Sequence, residues 1–182
     1  MCRFIRQIKK DVPRTSSGNF DMPEFNETPA SAKNPIFNIL AAYAEIDQEL
    51  GYTQGMNFLV ASIYMAVREE VIAFSVFQRI MESKQQAFER LCKVPSEIHM
   101  PNPLVKTQEW RFLYTDRMRK LNAFVEDIKE WLIETKRALY IHFESRKITL
   151  EACLSNPFLS LFSNVIPSQN MLKVLDRFVH FG

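Results

Sequence analysis

The sequence predicts an all-α protein built from amphipathic helices. The chain of 182 residues contains only 4 glycines, fewer than a fold rich in tight β-turns needs. Apolar residues recur at intervals of three and four along much of the chain, which is typical of helices that bury one face. A hydrophobic content of 47% with 24% charged residues is ordinary for a globular domain that folds without disulfides or a metal.

The first helix is predicted to begin at Asn34. Residues 1–33 contain several prolines and no lasting apolar period, so we expect them to be irregular. Asn34 is a good N-cap residue and Pro35 suits the first helical position. The helix is expected to run to Gly51, which can end it in a left-handed conformation. Two further helices are predicted, over residues 58–66 and 72–81.

Three closely spaced prolines indicate a boundary between two lobes of one domain spanning 1–182. They are Pro95, Pro101 and Pro103. Proline interrupts regular structure, so we expect an N-terminal lobe of about residues 1–100 and a C-terminal lobe of about 101–182.

The helical spacing of apolar residues resumes in the C-terminal lobe. The expected helical segments are 110–121, 124–132, 150–154, 158–162 and 172–181, with Pro157 and Pro167 punctuating the last two. Residues 138–143 could form a strand by themselves, but their helical neighbours favour a helix.

Composition argues against several classes of function. The formal net charge is +2, without the basic stripe of a nucleic-acid-binding protein, and Lys9 and Lys10 are interpreted as a solvated face. The widely spaced Cys2, Cys92 and Cys153 are expected to be reduced, mostly buried thiols of a cytosolic protein. Because no apolar run approaches about 20 residues, no integral membrane segment is predicted.

A self-contained catalytic centre is not evident. The three histidines, His99, His142 and His180, lie far apart without metal-ligand spacing, so no metal site is predicted. Nucleophile-elbow and phosphate-binding glycine motifs are also missing. Trp110 and Trp131 are interpreted as core anchors.

Two short segments suggest a function. Residues 8–15 read IKKDVPRT and residues 51–57 read GYTQGMN. In this order they resemble the signatures I-x-x-D-x-x-R-T and Y-x-Q-G-M of the TBC-domain family, the helical modules that accelerate GTP hydrolysis by Rab-type small GTPases. The resemblance runs from about residue 5 to the chain end and is thin between about 84 and 150. It implies a two-lobed, all-helical TBC-like domain.

The resemblance also implies chemistry performed inside another protein. Arg14 matches an arginine finger, whose permanently charged guanidinium can contact the phosphate oxygens of GTP. Gln54 matches a glutamine finger, whose amide can both donate and accept hydrogen bonds and so can position the attacking water. GTP and Mg²⁺ would arrive with the partner GTPase, so no cofactor of this chain's own is expected.

Neighbouring motif residues are expected to support the two fingers. They are Asp11, Thr15, Tyr52 and Gly55. Asp11 could hold Arg14 by a charge-assisted hydrogen bond, while Pro13 would stiffen the loop that carries Arg14. Tyr52 could form a platform under the turn at Gln54, and Gly55 would let the backbone approach a partner closely.

The match to the family departs at both ends. Family members carry helices before and after the segments matched here, which implies a truncated C-terminal lobe and other protein subunits that cover its apolar faces. The leading hypothesis is a Rab GTPase-activating protein of vesicle trafficking, cytoplasmic or peripheral to membranes through its partner. The alternatives are a catalytically weak or silent TBC-fold scaffold in a larger assembly, and an unrelated helical adaptor.

Overall fold

The computed structural model describes residues 3–15, 20, 22–26, 33–82, 110–115 and 118–181. Within these ranges there are eight α-helices, two short 3-10 helices and no strand, so the all-α prediction is confirmed. The expected lobe boundary at 95–103 lies outside the described residues, as do Cys2, Cys92 and His99. The division into two lobes therefore stays a prediction.

The α-helices lie in two groups along the chain. They are α1 Ile5–Thr15, α2 Pro35–Ile46, α3 Met56–Val67, α4 Glu70–Met81, α5 Arg119–Thr135, α6 Arg137–Ser145, α7 Leu150–Leu159 and α8 Ser168–Phe181. The 3-10 helices are Pro23–Asn26 and Trp110–Leu113. α3 is apolar on most sides and packs against α1, α2, α4 and α8. It therefore forms the centre of the core.

The prediction that residues 1–33 are irregular is wrong for α1. Ile8 and Val12 lie on its inner face and are fully buried. The same face also carries the buried polar residues Asp11 and Thr15, which interrupt the apolar pattern that a sequence reading relies on. Pro13 lies in the last turn of α1, so the helical hydrogen bond that its missing N–H removes is lost near the helix end.

α2 begins where the sequence predicts but ends earlier. The Asn34 carboxamide oxygen accepts a hydrogen bond from the Phe37 N–H at 3.0 Å, which confirms the N-cap. The helix ends at Ile46 rather than near Gly51, because the Asp47 carboxylate accepts a hydrogen bond from the Leu50 N–H at 3.1 Å and closes a separate turn. Gly51 does adopt the expected left-handed conformation, with φ +63°.

Most later helices follow the predicted segments, but 110–121 is not one helix, because the 3-10 helix Trp110–Leu113 is separate from α5, which begins at Arg119. α3 and α4 cover residues 58–66 and 72–81, and α6 shows that 138–143 is helical rather than extended. The break expected at Pro157 is wrong, since Pro157 lies inside α7. The chain leaves this helix at Leu161 and Phe162, which both have positive φ.

Two predicted core residues lie at the surface. The buried stripe of α5 consists of Leu121, Val125 and Leu132, and Trp131 lies outside that stripe with 53% of its surface exposed. Cys153 is also exposed, contrary to the expectation of buried thiols. Trp110 is partly buried and packs against the Phe124 ring, with 6.2 Å between the ring centroids.

Candidate functional site

The last turn of α1 presents Arg14 to solvent. The Arg14 side chain is 69% exposed, whereas that of Asp11, one turn earlier, is 3% exposed. Arg14 Nη1 lies 3.6 Å from Asp11 Oδ1, which makes the pair an ion pair at longer range than the predicted hydrogen bond. Arg14 also lies on a helix rather than on the expected loop, so α1 itself fixes the direction of its backbone.

The second motif forms a tight turn that presents Gln54. Gln54 is exposed, while Tyr52 and Gly55 on either side are buried. Gly55 has φ +107°, a conformation that side-chain-bearing residues rarely adopt. It immediately precedes α3, and its carbonyl accepts a hydrogen bond from the Phe58 N–H at 3.1 Å. The turn therefore places the exposed Gln54 just before the buried N-terminal end of the central helix.

Asn57 joins the two motifs through buried hydrogen bonds. Its Nδ2 donates to Thr15 Oγ1 at 2.8 Å, and its Oδ1 accepts from the Gly55 N–H at 3.1 Å. Because Thr15 follows Arg14 and Gly55 follows Gln54, one carboxamide contacts the residue after each exposed side chain. The structure thus brings the backbones of Arg14 and Gln54 together at one edge of the molecule.

Asp11 supplies a second connection between the motifs. Its Oδ2 accepts hydrogen bonds from the Tyr52 hydroxyl at 3.0 Å and from Gln7 Nε2 at 2.9 Å. Burial, reinforced by the charge of Asp11, raises the pKa of Tyr52 above its usual range, so the hydroxyl stays a neutral donor at physiological pH. Tyr52 is therefore a buried tie to α1, and its role as a platform under the Gln54 turn stays a prediction.

The second group of helices packs directly on the Gln54 turn. A Cβ atom added at Gly55 would lie 2.7 Å from the Leu159 carbonyl oxygen at the end of α7. The Tyr114 hydroxyl donates to that same oxygen at 2.8 Å, and the Tyr114 carbonyl accepts from Thr53 Oγ1 at 3.1 Å. Residues from both groups of helices thus hold the turn in place.

A buried ion pair anchors the segment that leads into the turn. Arg111 contacts both carboxylate oxygens of Asp47, and its Nη1 donates to the Met81 carbonyl oxygen at 3.3 Å. Burial by itself would raise the pKa of Asp47, but hydrogen bonds from Arg111 and the Leu50 N–H outweigh it and hold this pKa below its usual range. The Asp47 carboxylate is therefore charged at neutral pH.

Sequence reasoning named some of these residues and missed others. It singled out Arg14, Gln54, Asp11, Thr15, Tyr52 and Gly55, which the structure gathers at one edge. Asn57 was missed although it is the last residue of the motif GYTQGMN. A polar residue at the start of an otherwise apolar helix is a signal that could have identified it. Arg111 and Asp47 could not be paired from sequence, since 64 positions separate them.

Other kinds of site are not evident in the described part of the chain. Those residues include no group of three histidine, cysteine or acidic side chains placed to hold a metal ion. His142 is exposed. None of the described helices is both long and apolar enough to cross a bilayer.

Comparison with known proteins defines the family. The model of the Rab-GTPase-TBC domain matches residues 2–95 and 100–182, so the chain belongs to the Rab-GTPase-TBC domain family. This confirms the resemblance that the two motifs indicate.

Several full-length relatives contain a similar segment. The chain is 26% identical over 176 residues to the human Ecotropic viral integration site 5 protein homolog, covering 96% of the chain and 18% of the relative. It is 24% identical over 179 residues to the Caenorhabditis elegans Rab GTPase-activating protein eat-17, covering 98% and 17%. The Eremothecium gossypii GTPase-activating protein GYP5 is 26% identical over 177 residues, covering 94% and 18%. The chain thus spans less than a fifth of each of these relatives.

Proposed function

We propose that this chain accelerates GTP hydrolysis by a Rab-type small GTPase, using Arg14 and Gln54 as fingers that enter the partner's nucleotide site. The observation that carries the proposal is the exposure of both side chains on backbones tied together by Asn57. Family membership and the names of two relatives, the Rab GTPase-activating protein eat-17 and the GTPase-activating protein GYP5, support GTPase activation in general. The assignment of the two fingers rests on the site geometry and the motif match.

In the proposed mechanism Arg14 stabilises negative charge in the transition state. Water attacks the γ-phosphorus of GTP, the bond to the β–γ bridging oxygen breaks, and GDP and inorganic phosphate result. Charge accumulates on the phosphoryl oxygens during this transfer, and a guanidinium can contact two of them at once. An arginine finger of this kind contributes about 10³- to 10⁵-fold in rate.

Gln54 is proposed to hold the attacking water in line with the bond that breaks. Its carboxamide oxygen accepts a hydrogen bond from the water, and its NH₂ group donates to a phosphoryl oxygen. Neither group changes its protonation state, so the chain supplies no general base. GTP and Mg²⁺ belong to the partner, and the proposed mechanism requires no cofactor in this chain.

The buried network supports this mechanism by limiting the motion of both fingers before the partner binds. A side chain that must be ordered during the reaction loses part of its effect, because catalysis depends on placement to within about 0.5 Å. Here the Tyr52–Asp11 and Asn57–Thr15 hydrogen bonds are buried, where competition from water is weak. The partner then needs to order little more than the two exposed side chains.

The proposal is tested by single-turnover GTP hydrolysis with a panel of Rab proteins. The chain should accelerate at least one Rab, and Arg14→Ala and Gln54→Ala should each reduce that acceleration at least tenfold. The matched controls are Arg177→Ala and Gln48→Ala, which remove the same residue types from exposed positions away from the Gln54 turn and the end of α1. They should change the rate less than twofold.

The alternative is a TBC-fold scaffold that binds a GTPase without activating it. Acceleration of no Rab in the panel, with retained binding, would favour the scaffold. If acceleration survives both substitutions, the chain activates the GTPase but Arg14 and Gln54 are not its fingers. We propose that the chain acts in the cytoplasm and reaches membranes through its partner.

A further inference from the structure

The exposed side of α1 carries a dense group of positive charges that ends at Arg14. Arg6, Lys9 and Lys10 are exposed. Arg6 precedes Lys9 by three positions and Lys10 by four, and Lys10 precedes Arg14 by four, so these side chains share one helix face. We call Arg6, Lys9, Lys10 and Arg14 the α1 basic face.

Within α1 only Arg14 of these four cations has an acidic partner, Asp11 at 3.6 Å. Asp11 is the single acidic residue of α1, and it is 2% exposed because it faces the buried network. The described residues provide no ion pair to Arg6, Lys9 or Lys10. The formal net charge of the whole chain is only +2, so the α1 basic face is a local concentration of charge.

The face extends away from the proposed arginine finger. A helix rises about 1.5 Å per residue, which places Lys10 and Arg6 about 6 Å and 12 Å along the axis from Arg14. If Arg14 enters a nucleotide pocket, the remaining cations must lie over the GTPase surface beside that pocket. Electrostatic attraction or repulsion between these cations and that surface would raise or lower the rate at which the two proteins associate.

We propose that the α1 basic face docks on an acidic surface next to the partner's nucleotide pocket and steers the two proteins together. The inference rests on the proposed function, because Arg14 sets the position of the face. In this proposal Arg6, Lys9 and Lys10 select the partner by its charge. They change the rate of association and leave the rate of GTP hydrolysis in the complex unchanged. A GTPase with a neutral or basic border at this position would be disfavoured.

The composition of the face suits a protein partner better than a bilayer. Helices that bind membrane interfaces combine basic residues with apolar side chains that insert among the lipids. The apolar residues Ile8 and Val12 of α1 are fully buried in the core and cannot insert. The uncharged residues exposed on α1 are Gln7 and Pro13, and its remaining apolar residue, Ile5, is half-buried against the core.

The test is stopped-flow association with a Rab protein loaded with a non-hydrolysable GTP analogue, at several ionic strengths. The double variant Arg6→Glu/Lys10→Glu reverses two charges four positions apart. Lys173→Glu/Arg177→Glu is its matched control, with the same charge change and spacing at exposed positions of α8. Circular dichroism checks that each variant folds.

We expect Arg6→Glu/Lys10→Glu to lower the association rate constant about tenfold or more at low ionic strength, and the control less than about twofold. The wild-type rate should fall steeply with added salt, and the variant should lose most of this dependence. The hydrolysis rate at saturating chain concentration should stay unchanged, since both finger residues remain.

Several results would overturn the inference. These are an equal loss in the control, an unchanged rate in the variant, or loss of binding to phosphatidylserine vesicles with unchanged GTPase association. Salt-dependent association without accelerated hydrolysis would reject the proposed function, but it would support docking through the α1 basic face. Absence of binding to every Rab tested would reject both.

Discussion

The Asn57 side chain lies between Thr15 and Gly55 and bonds to both. Its Nδ2 donates to Thr15 Oγ1 at 2.8 Å, while its Oδ1 accepts from the Gly55 N–H at 3.1 Å. Each of these contacts is one residue away from an exposed side chain of the candidate site. Asn57 therefore sets the spacing between the end of α1 and the turn before α3.

Replacing Asn57 with alanine should reduce catalysis more than binding. Loss of the carboxamide leaves Thr15 and the Gly55 N–H without this partner, which costs about 1–3 kcal/mol of folding free energy and loosens both fingers. We expect the maximal hydrolysis rate to fall at least tenfold, with Rab affinity changed less than about threefold. Ser62→Ala, which removes another buried polar group from α3, is the control. A parallel loss of affinity and rate would show that Asn57 acts only through folding.

Tyr52→Phe should destabilise the protein, since it removes one of two side-chain hydrogen bonds to Asp11 Oδ2. Urea unfolding at pH 7 should show a loss of about 1–3 kcal/mol. The raised pKa of Tyr52 keeps it neutral in the folded state while the unfolded residue ionises near pH 10. Wild-type stability should therefore fall above about pH 10, and Tyr52→Phe should lessen this fall. The partly buried Tyr140→Phe is the control, and an equal response of both variants would contradict the assignment.

Asp47→Asn should cost about 3–5 kcal/mol at pH 7, because it leaves the buried Arg111 guanidinium without its buried counter-charge. The pKa of Asp47 is held below its usual range in the folded protein, so its contribution is present above about pH 4. That contribution is lost as the pH falls through the folded pKa. The stability difference between wild type and variant should therefore narrow in acid. Glu49→Gln removes the other acidic partner of Arg111, whose side chain is 89% exposed, and should cost less than about 1 kcal/mol.

Gly55→Ala should be more harmful than Gly51→Ala. Both glycines have positive φ, but the new Cβ at Gly55 would meet the Leu159 carbonyl oxygen at 2.7 Å. The Cβ at Gly51 would meet the Phe4 ring, which is a side chain that can turn away. We expect Gly55→Ala to lose about 2–4 kcal/mol of stability through backbone strain and displacement of Gln54. Equal losses in thermal denaturation would contradict the packing of Leu159 on this turn.

The sequence indicated the helical class and several helix ends because those depend on local signals. Asn34 caps its own helix, and the apolar spacing of α3 and α4 reports their buried faces directly. α1 was missed since half of the buried residues on its inner face are polar. Their burial is favourable because Asn57 and Tyr52, from elsewhere in the chain, form hydrogen bonds with them.

The candidate site likewise has residues that the sequence identifies and residues that only the tertiary structure reveals. Motif spacing singled out Arg14 and Gln54, but it carried no information about what holds them together. The supports from Tyr114, Leu159 and Arg111 come from the second half of the chain and depend on tertiary packing. Hydropathy also did not show that Leu132 is buried and Trp131 exposed. Both residues are apolar, but one step along a helix turns the side chain by about 100°, so only one of them faces the core.

The most direct test of the two-finger account is trapping of a transition-state complex between the chain and a GDP-loaded Rab with aluminium fluoride, which mimics the transferring phosphoryl group. A protein that completes the active site binds this state far more tightly than the ground state. We predict a stable complex on size-exclusion chromatography only when aluminium fluoride is present, and its loss in Arg14→Ala and in Gln54→Ala. A complex that forms equally without aluminium fluoride, or that both substitutions leave intact, would contradict the account.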